Sequence, residues 1–141
     1  MNVKEATFPG GSYRITREEN LALCDAVGTD PDPSDRAHPI FYFIATQVGM
    51  GLTVAELCAR CNFDVDDGPM LTRSDAVFEG ELQVDTDYAV SGEIVSLVRK
   101  PSRTFGAVDL LTYRLRMECE QDGTSVVTTN QWILPRRTEA Q

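Results

Sequence analysis

Positive charge is scarce in this sequence: 13 lysines and arginines stand against 22 aspartates and glutamates, a net charge of −9 over 141 residues. Nucleic acid and anionic membrane surfaces, which demand basic patches, are thereby excluded as partners. A phosphate-bearing small ligand is not, since a few local arginines suffice; the acidity itself serves solubility. Long apolar runs are missing too, and none reaches the roughly 18 residues that cross a bilayer. The N-terminus, MNVKEATFPGGSY, has one lysine and no apolar stretch behind it. It is not a signal peptide, and the expected location is the cytoplasm. Histidine occurs once, and beyond Cys58-Ala-Arg-Cys61 there is neither a second CxxC nor a histidine pair. A zinc site needs two further ligands, so no metal is expected and the thiols read as reduced core residues. Internal repeats and low-complexity tracts are also lacking.

What is present suits one globular domain, with 42% apolar and 25% charged residues. It spans 1–141, with residues 1–12 as a loose lead-in and 138–141 as a tail. Thr16-Arg-Glu-Glu19 reads as a capping box opening a short helix over roughly 17–27, with Gly28 as its stop. Thr29-Asp-Pro-Asp-Pro-Ser-Asp35 must be a loop, because two prolines and three aspartates forbid regular structure. From Ile40 to Cys61 the sequence is apolar on nearly every side, as in a helix buried all round. Pro39 suits its first turn. Gly49 and Gly51 weaken it, allowing a break or a close approach by another group.

After an acidic loop, Asn62–Pro69, the period changes to two. Met70–Glu79, Gln83–Val84 and Tyr88–Arg99 are strand-like. Over Thr104–Glu120, Leu111, Tyr113, Leu115, Met117 and Cys119 alternate with Arg114, Arg116, Glu118 and Glu120. Gln121-Asp-Gly123 signals a tight hairpin into a returning strand, Thr124–Leu134. Only a sheet that curls around a long central helix can bury that helix on so many sides. The expected fold is therefore α+β, in the hotdog arrangement of a central helix wrapped by a curved antiparallel sheet. A lone sheet of this kind leaves an exposed edge, so assembly edge to edge with a second chain, as a homodimer or a heterodimer, is expected.

Six segments follow one another in the chain: Tyr13-Arg-Ile-Thr-Arg-Glu-Glu-Asn20, the Gly-Thr-Asp-Pro-Asp-Pro loop, Ala37-His-Pro-Ile-Phe41, Phe78-Glu-Gly-Glu, Asp87-Tyr-Ala-Val-Ser-Gly-Glu-Ile-Val and Asp122-Gly-Thr with Trp-Ile-Leu-Pro-Arg136. In pattern and order they resemble the MaoC-like dehydratases, and the likeness covers roughly residues 13–137. The chain looks most like the N-terminal hotdog half of such enzymes, or a stand-alone subunit equivalent to it. The resemblance implies reversible hydration of a 2-enoyl thioester, with coenzyme A arriving as part of the substrate and no separate cofactor. An Asp and a His in a D-x-N-P-x-H loop would hold the water and move its proton. A backbone N–H at the start of the buried helix would polarise the thioester carbonyl.

Laid onto that loop, Asp30 takes the Asp position, Asp32 the Asn position and Pro33 the Pro position, but Asp35 falls where the His belongs. The candidate catalytic residues are thus Asp30, Asp35 and His38, in a loop that has lost its acid–base pair. His38, just before the long helix, is either a proton carrier or a helix-start residue bonding the backbone. In families of this type one hotdog half keeps the loop while the other widens the tunnel for a bulky acyl chain, such as a sterol side chain. The chain resembles the second kind, a subunit that binds an acyl-CoA thioester while a catalytic MaoC-like chain, in a heterodimer, supplies the missing pair. Candidate substrate contacts are Pro39, Ile40, Phe41, Gly49 and Gly51 along the helix. Arg99, Lys100 and Arg103, in a turn, would meet the coenzyme A phosphates. Two competing readings remain. One is a homodimeric hotdog thioesterase using Glu56, the only acid on the central helix; the other is an acyl-CoA-binding module without chemistry.

Overall fold

The clearest alternation in the sequence becomes the middle of the sheet. The computed structural model describes residues 6–119, 121, 123 and 125–136. Five strands form one antiparallel sheet: β1 (Gly11–Arg14), β2 (Met70–Phe78), β3 (Asp87–Ser102), β4 (Gly106–Cys119) and β5 (Ser125–Pro135), in the order β1-β3-β4-β5-β2. On β4, Leu111, Tyr113, Leu115, Met117 and Cys119 are buried, while Arg114, Arg116 and Glu118 point to solvent. Gly123 takes a φ of +73° and donates its N–H to Cys119 O in the β4–β5 turn. Residues 120, 122 and 124 of the expected hairpin, like the 138–141 tail, lie outside the described residues.

The lead-in differs from expectation where it can be seen. Gly11 and Ser12 belong to β1, which pairs with β3, and Phe8 is buried with its N–H on Gly92 O at 2.9 Å. Gln83–Val84 is shorter than a strand; Gln83 makes a single bridge to Arg36, and Val84 N–H bonds Asp35 O. These contacts tie the aspartate-rich loop to the segment after β2.

The first helix, α1 (Arg17–Ala26), starts on Thr16, whose side chain accepts from Glu19 N–H. Only half of the expected box forms, because the Glu19 carboxylate takes the Tyr13 hydroxyl instead. Burial first, then the bond and charge of Glu19, push that hydroxyl up to about 12. Gly28, at φ +72°, stops the helix, as expected.

The single long helix does not survive. Residues 40–61 form α2 (Phe41–Gly49) and α3 (Val54–Arg60), bent by 63° to one another. Gly51, at φ +82°, turns the chain, and Thr53 with Glu56 then builds a complete capping box that restarts the helix. Close approach accompanies the break: a Cβ on Gly51 would sit 2.6 Å from Gly10 O, and one on Gly49 2.7 Å from Val90 Cγ2. Nor is α2 buried all round, since Val48 is 67% exposed. Its inner side meets a polar seam rather than a purely apolar sheet. Tyr113, fully buried on β4, donates to Gln47 Oε1 at 3.0 Å and accepts from Trp132 Nε1 at 3.0 Å. Ser74 of β2 donates to Asn130 Oδ1 at 2.5 Å and lies 3.1 Å from the Tyr42 hydroxyl. Such bonds have fixed directions and set the rotation of α2 over the sheet more sharply than apolar packing would.

Thr128, on the same inner face, is fully buried and its hydroxyl has no hydrogen-bond partner. A buried, unpaired hydroxyl costs about 1–3 kcal/mol. Thr128→Val, which keeps the shape, should therefore raise stability by about 1 kcal/mol, a few degrees in Tm for a domain of this size. Thermal melts of the two proteins check this; a loss of stability would show that the hydroxyl is bonded in solution.

A second polar cluster pins α3 to the sheet. Arg136, 6% exposed, donates from Nε to Asp109 Oδ2 at 2.9 Å and from its terminal nitrogens to the carbonyls of Cys61 and Asn62, with Phe63 stacked on the guanidinium. Arg99 holds the other Asp109 oxygen at 2.5 Å. Burial alone would push the Asp109 carboxyl up, but the hydrogen bonds from Arg99 and Arg136 outweigh it and keep the group below the usual carboxylate value.

Candidate functional site

The loop between α1 and α2 and the end of β2 together form two clefts. Loop residues 35–37 are held against 82–84 by Ala37 N–H to Leu82 O at 2.7 Å and Val84 N–H to Asp35 O at 2.8 Å. Between them, Ala37, Pro39, Phe78 and Leu82 line a cleft of about 380 Å³ that is almost wholly apolar. Its rim carries the Arg36–Glu81 ion pair, at 2.6 Å. On the other side of the loop, Asp30 and His38 face a smaller hollow of about 240 Å³ with Asn20, Cys24 and Asp32. Pro39 borders both.

The structure thus brings Asp30 and His38 together and leaves Asp35 out. Asp35 is exposed and paired with Arg17 Nη2 at 2.6 Å. Asp32 accepts from the Ser34 hydroxyl and the Ser34 N–H, bonds that hold its carboxyl below the usual value. His38 is half-buried; its N–H bonds Asn20 Oδ1 at 2.8 Å, and its Nδ1 accepts from Ile40 N–H at 3.1 Å. With Nδ1 committed, the neutral ring carries its proton on Nε2 and can donate there but not accept. To act as a base it would have to give up the start of α2.

The start of α2 is also occupied. The N–H groups of Phe41, Tyr42 and Phe43 bond the carbonyls of His38, Pro39 and Ile40 at 3.0–3.1 Å. The backbone donor that the resemblance implies for a thioester carbonyl is therefore satisfied internally, and a ligand would have to displace one of these tight turns. Ile40 is partly exposed, whereas Phe41 is sealed in the core. At Gly49 and Gly51 the room left by the missing side chains is filled by Val90 and by the backbone of Gly10.

The basic turn also differs from expectation. β3 runs on to Ser102, so Arg99 and Lys100 lie in a strand and the turn covers only residues 103–105. Arg99 reaches across to Asp109 because the two are opposite each other in register. Lys100 and Arg103 are exposed, and none of the three lines either hollow. Arg36, which sequence reasoning passed over, does line both; Asp32, four residues earlier, lies 3.8 Å from it, while Gln83 and Glu81 meet it only through the fold. Glu56 is exposed and tied to Thr53 in its cap, a bond that lowers its carboxyl from the usual value and removes it from any site. All four cysteines are free and buried, and among the described residues no three His, Cys, Asp or Glu side chains converge on a metal position. Burial pushes the Cys61 thiol up to about 11, so it is neutral and unreactive.

No family model matches the chain, and no curated protein matches it in sequence. Solved structures do match it. The ChsH1-ChsH2 complex from Mycobacterium tuberculosis contains a chain that aligns over 94% of this one and 85% of its own length, with a TM-score of 0.70 and 11% identity. The HadBC (3R-hydroxyacyl-ACP dehydratase) complex from the same organism gives 0.64, 15% identity, and 91% and 93% coverage. The fold is a hotdog. A hypothetical thioesterase from Streptococcus pneumoniae, solved with coenzyme A, is a third relative at TM-score 0.57, 10% identity, and 87% and 77% coverage. At such identities the hotdog architecture is what these proteins share with this chain. Its elbowed central helix, α2–α3, lies against the inner face of the sheet, and β2 forms one outer edge.

Proposed function

We propose that this hotdog chain is the acyl-thioester-binding subunit of a MaoC-like 2-enoyl-thioester hydratase, with the proton-moving Asp/His pair supplied by another hotdog chain. One observation carries the reading. The chain keeps an apolar cleft of about 380 Å³ beside the start of α2, while every polar group of the neighbouring loop that could move a proton is otherwise engaged or exposed. Asp35 is bound to Arg17, and the His38 Nδ1 lone pair to Ile40 N–H. A slot lined by Ala37, Pro39, Phe78 and Leu82 suits the thin apolar part of an acyl thioester. The Arg36–Glu81 pair at its mouth offers a charge for the polar end. Two of the structural relatives are two-chain complexes, one of them a 3R-hydroxyacyl-ACP dehydratase. A third was solved with coenzyme A. The Glu56 thioesterase reading has no support in the geometry.

The test is hydration of 2-enoyl-CoA substrates of graded bulk, followed by loss of enoyl absorbance. It is run with the chain alone and with a hotdog chain that carries an intact D-x-N-P-x-H loop. The expected result is acyl-CoA binding without turnover by the chain alone, and turnover in the mixture. Turnover by the chain alone would give Asp30 and His38 the chemistry and end the proposal; so would failure to bind any acyl-CoA.

A further inference from the structure

Asn20, on α1, is 4% exposed, and its bonding is incomplete. A backbone N–H can only donate, so the atom that takes the His38 N–H at 2.8 Å is the amide oxygen; the Cys24 thiol lies 4.0 Å from the same atom. The amide nitrogen has no hydrogen-bond partner among the described residues. Buried polar groups are bonded in the great majority of cases, so this one asks for a partner. Asn20 lines the hollow of about 240 Å³ between α1 and the loop that follows it. Two more groups on that hollow have unused bonding capacity. One is the Nε2–H of His38, whose Nδ1 is taken by Ile40. The other is the Asp30 carboxylate, without an ion-pair or hydrogen-bond partner among the described residues. The walls are fixed by Thr29 N–H on Cys24 O at 2.9 Å and Ala37 N–H on Leu82 O at 2.7 Å, so the hollow is preformed.

These groups define the ligand by exclusion. An anion would meet Asp30 and Asp32, and the one guanidinium on the hollow, that of Arg36, is bound to Glu81 at 2.6 Å. A simple cation would satisfy Asp30 and leave both N–H donors without an acceptor. A single water, with a share of about 30 Å³ in the liquid, is too small for the space. A whole drug-sized molecule is too large, since sites for those begin near roughly 300 Å³. A neutral chain with a carbonyl oxygen beside an N–H meets all three groups. We propose that the hollow binds a linear secondary amide, with Asn20 and His38 donating to its carbonyl, Asp30 accepting from its N–H, and its flanking carbons against Ala37 and Pro39. Pro39 borders both this hollow and the apolar cleft. Where the acyl-thioester reading holds, the amide belongs to the carrier arm, because pantetheine, which bears acyl thioesters, is a chain of secondary amides. A free small amide has the same chemistry, and experiment separates the two sources.

Nitrogen–proton correlation spectra of the labelled chain, titrated with N-ethylpropionamide, read the hollow without any thioester. Signals of Asn20, Asp30 and His38 should move. Ethyl propionate, the same shape without the N–H, should bind about fivefold more weakly. Asn20→Asp keeps an oxygen for the His38 N–H and removes the donor, while Asp30→Ala removes an exposed acceptor that no bond of the fold uses. Each should weaken amide binding about fivefold to tenfold. Should Asn20→Asp lose its fold, as a thermal melt would show, Asp30→Ala alone carries the test. Pantetheine names the source: movement of the same signals assigns the hollow to the carrier arm, and movement with the small amide alone assigns it to a separate molecule. A chain that binds the amide but no acyl-CoA keeps this site and loses the thioester reading. Unmoved signals overturn the proposal, as do equal binding of amide and ester or unchanged amide binding by Asp30→Ala.

Discussion

Asp109→Ala is expected to lose about 3–5 kcal/mol of stability, the usual cost of removing one partner from a buried ion pair. The loss has two parts. Arg136 remains buried with its charge uncompensated, and the guanidinium that bridges β4 to the carbonyls of Cys61 and Asn62 loses the oxygen that aims it. Arg99 contributes less, because its side chain is half exposed. The effect also has a pH signature. Asp109 sits below its unfolded value of about 3.9, so its contribution is fully present above that pH. It is lost as pH falls through the lower folded value. Urea unfolding of both proteins at neutral pH and near pH 3 should show the gap between them shrinking in acid. A gap that keeps its size would mean that Asp109 stabilises the fold as a shape and not as a charge.

Gly51→Ala is expected to cost about 3 kcal/mol. A left-handed backbone costs an alanine about 1–2 kcal/mol, and a Cβ at 2.6 Å from Gly10 O adds about 1–3 kcal/mol of crowding. Gly28→Ala is the control. It has nearly the same φ, +72°, but nothing within 4 Å of the added carbon, so it should lose only the first part. Equal losses at the two positions, measured by denaturant unfolding, would show that crowding at the elbow is absent. A larger loss at Gly51 would confirm that the segment around Gly10 is wedged under the bend.

Much of this architecture could be read in advance, and the exceptions share a cause. The alternation on β4 was legible because each inward residue sees the same core for the full length of the strand. The elbow was also written out, with Gly51 as a stop and Thr53-Val-Ala-Glu56 as a fresh start. The unbroken apolar run around them outweighed those local signals in the sequence reading. The polar seam of Tyr42, Gln47, Tyr113 and Asn130 was not legible, because its partners come from α2, β2, β4 and β5 and meet only after folding. The candidate site divided along the same line. The loss of a histidine at Asp35 was visible in the loop itself, but the occupation of Asp35 by Arg17 and of His38 by Ile40 N–H needed three dimensions. The same holds for Arg99, whose attachment to Asp109 depends on how far β3 extends before it turns.

The strand order also has a temporal side. β3, β4 and β5 follow one another in the chain and close through short turns, so they can zip together early. Seating β1 beside β3 requires all three α-helices and β2 to be looped out, and seating β2 beside β5 requires the whole β3–β4 hairpin to be in place. Such distant pairings are delayed by the entropy of closing long loops. β2 thus joins late while offering the sheet's open edge, so a crowded population of newly made chains would find each other's β2 at the stage when it is least well held.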